Sequence, residues 1–178
     1  FTDTEKWNMV PIGMQLYDGL SGIAVFLAAY QKEFADTASA DLLEKVKRRL
    51  FVYTDMERSP EDKNGKNGML EGDSSIAAAY LILYEITGGM DYLRYAEKQF
   101  QKVKDACILS DDYLSGRAGL LLLALKLHKH IDDKQYIELA KHYEKELWEH
   151  SFITVKGVGW KTCDGPPLAG MAHGSSGI

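Results

Sequence analysis

Cysteine is nearly absent from this chain: Cys107 and Cys163 are the two in 178 residues. Two thiols that far apart build neither a CxxC metal knuckle nor a dense disulfide framework, so a reduced, cytoplasmic setting is expected. Long apolar runs are missing as well. The longest, Ile23–Tyr30, Ile76–Tyr84 and Leu120–Leu125, fall far short of the roughly 20 residues that cross a bilayer as a helix; they read as core segments, with no membrane span. Basic charge is in deficit: 21 Lys and Arg against 26 Asp and Glu leave a formal net charge of −5. No Lys/Arg-rich block stands out, which argues against nucleic acid as a partner. The chain opens at Phe1 with no basic-then-apolar order of a secretory signal, and reads as a piece of something longer.

What is present is a composition of 46% hydrophobic and 26% charged residues, enough to bury a sizeable core in one domain spanning residues 1–178. One phrase recurs four times: two small residues three apart, then an apolar residue. The copies are Gly19-Leu20-Ser21-Gly22-Ile23, Gly72-Asp73-Ser74-Ser75-Ile76, Gly116-Arg117-Ala118-Gly119-Leu120 and Gly174-Ser175-Ser176-Gly177-Ile178, in steps of 53, 44 and 58 residues. Each step accommodates two helices and their connections.

The first three copies lead into stretches that are apolar on nearly every side, such as Ile23-Ala24-Val25-Phe26-Leu27-Ala28-Ala29, the pattern of a helix buried all round. Between them, Leu43, Val46 and Leu50, then Leu93, Ala96, Phe100 and Val103, then Tyr136, Ala140, Tyr143 and Leu147 recur at spacings of three and four. That spacing gives amphipathic helices with one apolar face. Inner helices would therefore alternate with outer ones. Because glycine in a helix body costs about 1 kcal/mol against alanine, the glycine pairs belong at the starts of the inner helices. There they relieve crowding between backbones. Arg58–Gly68 has loop composition, and Lys156-Gly157-Val158-Gly159-Trp160 is a second glycine-rich stretch.

The segments Leu16-Tyr17-Asp18-Gly19-Leu20-Ser21-Gly22-Ile23 and Pro167-Leu168-Ala169-Gly170-Met171-Ala172-His173-Gly174-Ser175-Ser176-Gly177-Ile178 resemble lanthionine synthetase C-like cyclase sequence. The likeness runs along the whole chain and is nearest to the carboxy-terminal cyclase domain of the bifunctional, type 2 lanthipeptide synthetases, of which this would be an N-terminal or central fragment. The resemblance implies an all-α fold, a partial (α/α) toroid of about three helical pairs plus the beginning of a fourth. It implies a parent that closes lanthionine and methyllanthionine rings by adding a cysteine thiolate to dehydroalanine or dehydrobutyrine in a dehydrated precursor peptide. It also carries catalytic roles onto His173, the histidine of Ala172-His173-Gly174, and onto Asp112, four residues before Gly116. Asp111 is the neighbouring alternative to Asp112, and either could instead cap a helix. Asp18, one residue before a glycine, reads as a cap.

Zinc is implied for the full-length parent, held by cysteines and a histidine in WCxG-like and CHG-like motifs. Neither motif occurs here: Ala172 precedes His173, and Asp164 follows Cys163. The fragment is expected to hold no metal and to be inactive alone, with Cys163 and His173 as the remote possibility of a partial site. Cys107 reads as a small buried residue at an outer-helix end, while His128, His130, His142 and His150 read as surface residues. Tyr17, Tyr80, Tyr84 and Trp160 are core aromatics or groove-liners. An open toroid would leave apolar inner helices uncovered, so self-association is expected. The rival readings are a non-catalytic module that binds a peptide or thiol, and a helical-toroid glycoside hydrolase using Asp111, Asp112 or Asp164 as paired acids.

Overall fold

The computed structural model of the chain describes residues 9–57, 66–155, 157–161 and 167–178. Within them lie six helices, α1 (Leu20–Phe34), α2 (Thr37–Asp55), α3 (Asp73–Thr87), α4 (Met90–Val103), α5 (Arg117–His130) and α6 (Lys134–His150). A short hairpin follows, with β1 (Phe152–Thr154) antiparallel to β2 (Gly157–Gly159) and Ile153 opposite Val158. The helices pack as antiparallel neighbours in the pairs α1/α2, α3/α4 and α5/α6. α3 also packs against α1 on one side and α5 on the other, and α2 touches α4. The result is an inner row α1–α3–α5 and an outer row α2–α4–α6, a partial (α/α) toroid. The hairpin occupies the glycine-rich stretch after α6; Gly157, the first residue of β2, has φ 133°, a backbone angle that favours glycine.

The two rows start differently. Two of the outer helices use side-chain caps, Asp36 accepting the Ser39 N–H at 2.7 Å and Asp133 the Gln135 N–H at 2.8 Å, while α4 starts at Gly89 without one. The inner helices begin at Gly19, Gly72 and Gly116, with no side-chain cap from these residues. Their first N–H groups are satisfied instead by the preceding loop, which folds back over the helix start. Leu20 N–H donates to Gly13 O (2.8 Å) and Arg117 N–H to Ser110 O (3.0 Å), each seven residues back, while Ser74 N–H of α3 donates to Asn67 Oδ1 (3.2 Å); in the fourth repeat Ser175 N–H likewise donates to Leu168 O (2.9 Å). Small residues are needed because those loop backbones pass over the helix start: a Cβ on Gly174 would lie 2.5 Å from Leu168 O and 2.6 Å from Gly170 N. Ser75 departs from the glycine pattern without penalty because its hydroxyl joins the ladder, accepting the Leu16 N–H at 3.0 Å and donating to Gly72 O at 2.6 Å.

Tyr80, Leu81 and Leu83 of α3, Leu120, Leu123 and Leu127 of α5, Leu50 of α2, Phe100 of α4, and Tyr136 and Tyr143 of α6 are all fully buried. Each such side chain contributes about 1.5–3 kcal/mol relative to its exposed state. The expected outer-helix faces form as read, with Leu43, Val46, Leu50, Leu93, Ala96, Phe100, Val103, Tyr136, Ala140, Tyr143 and Leu147 all buried. One expectation, burial all round, fails at both ends of the inner row: α5 leaves Leu125 exposed, and α1 is still less covered. Phe26 is 65% and Phe34 66% exposed, with Tyr30 between them, its ring tilted against each at separations of 6.0 and 4.6 Å. The reason is position in the row: α3 has an inner neighbour on each side, whereas α1 has α3 alone. Cys107 also departs from expectation. It is exposed, lying beyond the α4 C-terminus in the turn before the next loop.

Candidate functional site

The four loops that precede the glycine pairs lie side by side at one end of the inner row, joined by backbone hydrogen bonds. Tyr17 N–H of the first donates to Leu70 O of the second at 3.0 Å. The second and third are joined by four bonds: Asn67 N–H to Ser115 O, Met69 N–H to Tyr113 O, and the Leu70 and Glu71 N–H groups to Leu114 O, all at 3.0–3.1 Å. Leu114 N–H then donates to Ala172 O of the fourth loop at 3.1 Å. This last bond brings the neighbouring residue His173 beside the third loop.

There His173 Nδ1 lies 2.8 Å from Asp112 Oδ2. A carboxylate can only accept, so Nδ1 carries the proton and Nε2 is left as the nitrogen able to exchange one. The Asp112 side chain is 10% exposed and that of His173 is 50% exposed, so the carboxylate is sheltered while the imidazole faces solvent. Asp112 is held on its other sides by its own loop. Ser115 N–H donates to Oδ1 at 2.7 Å, the Ser110 hydroxyl to Oδ2 at 2.9 Å, and the Ser115 hydroxyl to Oδ1 at 3.2 Å. Burial pushes the Asp112 carboxyl up; the hydrogen bonds from His173, the Ser115 N–H and Ser110, with the charge of His173, outweigh it and hold the group below its ordinary value. It therefore remains ionised at neutral pH.

The neighbouring aspartate points elsewhere. Asp111 Oδ1 lies 2.9 Å from Arg117 Nη1 and 2.9 Å from His150 Nδ1, on the side of α6. Asp111 and Asp112 thus serve different faces of one loop and do not oppose each other across a cleft, the arrangement paired acids require; Asp164 lies outside the described residues. Asp112 does cap locally, but it caps the turn at Ser115 and not α5, whose N-cap is Gly116. Asp18 is not a helix cap: the N-cap of α1 is Gly19, and Asp18 Oδ1 accepts from Gln15 Nε2 at 2.6 Å.

Among the other candidates, Tyr80 is buried with its hydroxyl 3.0 Å from Thr54 Oγ1, Tyr17 is exposed, and Trp160 Nε1 donates to Leu147 O at 2.7 Å. His142 and His150 are exposed, while His130 is more enclosed than expected, 17% exposed and 3.0 Å from Glu85 Oε1. Cys163 and the loop residues 58–65 lie outside the described residues. Among the described residues, no three His, Cys, Asp or Glu side chains are grouped so as to hold a metal ion. No described helix is long and apolar enough to cross a membrane. Sequence reasoning missed Ser110, Ser115 and Arg117. A signal existed for Ser115, which occupies in the third repeat the position of His173 in the fourth, directly before the first glycine.

An alternating inner and outer helical row, with inner helices started at glycines and an Asp–His pair at their loop end, defines a partial helical toroid with one polar pair at its loop end. The family model for lanthionine synthetase C-like proteins matches residues 10–178, and the chain belongs to that family. It is 25% identical over 167 residues to the lacticin 481/lactococcin biosynthesis protein LcnDR2 of Lactococcus lactis subsp. lactis, a match that covers 92% of this chain and 16% of that protein. It shares its fold with nisin cyclase at a TM-score of 0.66 and 18% identity, over 93% of this chain and 44% of that one. The chain thus spans less than half the length of either relative.

Proposed function

We propose that this chain is part of the cyclase domain of a longer lanthionine synthetase, with residues 1–178 forming one portion of a single domain. The reaction would be closure of thioether rings in a dehydrated precursor peptide. The observation that carries the reading is the 2.8 Å contact between His173 and Asp112 at the end of the joined loops. When a cysteine thiolate attacks the β-carbon of dehydroalanine or dehydrobutyrine, the sulfur–carbon bond forms and the former double-bond electrons move onto the α-carbon and its carbonyl as an enolate. One proton must then reach the α-carbon. With Nδ1 bound to Asp112, Nε2 of His173 is the atom that would carry it, and the ionised carboxylate would stabilise the imidazolium before transfer.

Zinc, which the resemblance implies for the longer protein, would be held by side chains outside the described residues, and the 178-residue chain alone should be inactive. A cytoplasmic setting and a dehydrated peptide partner belong to the same reading. So does self-association, supported by the uncovered stripe of Phe26, Tyr30 and Phe34 on α1.

Ring closure leaves the peptide mass unchanged and consumes a thiol, so thiol alkylation followed by mass spectrometry reads it directly. The longer protein should protect the cysteines of a dehydrated precursor from alkylation, and His173→Asn and Asp112→Asn should slow that protection by about 100-fold or more. Full activity in both variants would remove the basis of the proposal, as would ring closure by the isolated chain for its claim of inactivity.

A further inference from the structure

Arg117 stands in the first turn of α5, where the helix dipole disfavours a cation by about 0.3–1 kcal/mol. Its side chain is only 13% exposed, and it is engaged on every arm. Nε donates to Glu146 Oε2 of α6 at 2.9 Å, and Nη1 to Asp111 Oδ1 at 2.9 Å and to Ser110 O at 3.3 Å. Nη2 donates to Ile108 O at 2.9 Å. The guanidinium thus ties three residues of the third loop, Ile108, Ser110 and Asp111, to the outer helix α6. Ser110 is the pivot of this arrangement: its carbonyl accepts from Arg117, while its hydroxyl donates to Asp112 Oδ2 at 2.9 Å, the same oxygen that meets His173.

We propose that Arg117 is a positioning residue that, through Ser110, holds the Asp112 carboxylate against His173. The link is geometric: a planar fork fixed on Glu146 and Asp111 presents two further N–H groups to the carbonyls of Ile108 and Ser110, a task that a single ammonium cannot perform at four acceptors together. Arg117 does not figure among the groups that shift the Asp112 carboxyl, which are His173, Ser115 and Ser110 together with burial. Loss of the fork would leave the Ser110 carbonyl on the Arg117 backbone N–H at 3.0 Å and release its neighbours Ile108 and Asp111, so that Ser110 could turn about that bond, withdraw its hydroxyl from Asp112 and loosen the contact to His173. The inference rests on the reading of Asp112 and His173 as an acid–base pair only for its catalytic consequence.

The test is the titration of the Asp112 carboxyl carbon by NMR in this chain, for the wild type and for Arg117→Met, Arg117→Lys, Ser110→Ala and the Arg117→Lys/Ser110→Ala double variant. The wild-type midpoint should lie below the ordinary carboxylate value, as the hydrogen bonds from His173, Ser115 and Ser110 require. Each single variant should move it upward, and the double variant should move it no further than Ser110→Ala alone, because both changes break one link. Retention of the wild-type midpoint in Arg117→Lys would overturn the proposal, as would additive shifts in the double variant. If Arg117→Met does not fold, the lysine and alanine variants, which keep the charge of the cluster, decide the matter.

In the longer protein, Arg117→Lys should lower kcat for ring closure roughly tenfold with KM little changed. Asp112→Asn without effect on ring closure would discard the catalytic reading and leave the positioning result standing. An unmoved Asp112 midpoint with an inactive Asp112→Asn enzyme would do the reverse.

Discussion

Replacing Gly68 with alanine separates two opposed expectations. Outside a helix and with no positive backbone angle, such a change should stabilise a protein by about 0.4–1 kcal/mol, because the unfolded chain loses freedom. The structure demands the opposite. A Cβ on Gly68 would lie 2.5 Å from Leu114 O, 2.6 Å from Gly116 N and 2.6 Å from Ser115 Cα, all backbone atoms of the neighbouring loop. Ordinary contacts of this kind begin at about 3.5 Å, so the second and third loops would have to part by about 1 Å. Four backbone hydrogen bonds of 3.0–3.1 Å join them at this point. Loss of two, at about 0.5–1.5 kcal/mol each, with the overpacking cost less the chain-entropy gain, makes Gly68→Ala destabilising by about 2–3 kcal/mol. For a chain of this size that is a fall in Tm of about 4–12 °C by circular dichroism. The shift should be accompanied by weakened contact between Asp112 and His173, since Ser115 sits in the displaced loop. A Tm equal to or above the wild type would refute the claim that close loop contact requires the small residues.

Other expectations follow from the same contacts. Because the Asp112 carboxyl is held below its unfolded value of about 3.9, its contribution to stability is full above that pH and is lost as pH falls through the folded value. Asp112→Asn should therefore flatten the acid limb of a Tm-against-pH curve, and a limb as steep as the wild type's would contradict the assignment. Tyr136, fully buried and bonded to Glu97 Oε1 at 3.0 Å, is pushed up by burial to about 12. A raised phenol favours folding below pH about 10 and loses that contribution as pH rises towards the folded value. Removing the phenol with Tyr136→Phe should reduce the loss of stability between about pH 10 and 12. On α1, Phe26→Glu with Phe34→Lys should shift the chain towards monomer in sedimentation at high concentration, and an unchanged distribution would exclude that face from self-association.

Much of the architecture was legible because it repeats. The outer helices were readable from residues such as Leu43, Val46 and Leu50, whose spacing alone determines a face, and the inner helix starts from paired small residues that have a local steric cause. The exposed stripe on α1 was not legible: Phe26 and Phe34 have the same local pattern as buried residues of α3, and only the number of neighbours in the row separates them. Cys107 was misplaced for a similar reason, since where α4 ends decides whether it packs or projects. Asp112 and His173 came from resemblance, and the preference for Asp112 over Asp111 rested on motif position alone, four residues before Gly116; the physical reason for the difference was not in the sequence. The difference depends on Arg117 and His150 drawing Asp111 to the outer side, contacts that join residues 6 and 39 positions apart. The clamp formed by Arg117 was invisible because it uses backbone carbonyls, whose direction is set by the fold.

The most direct measurement is ring closure in deuterated water by the longer protein, wild type and His173→Asn, with the configuration and deuterium content of the α-carbon read in the product. If His173 delivers the proton from its place beside Asp112, the wild type gives one configuration. The variant's slower rings then form as a mixture, protonated from solvent on either face. A variant that closes rings at the wild-type rate with the same single configuration would contradict the account.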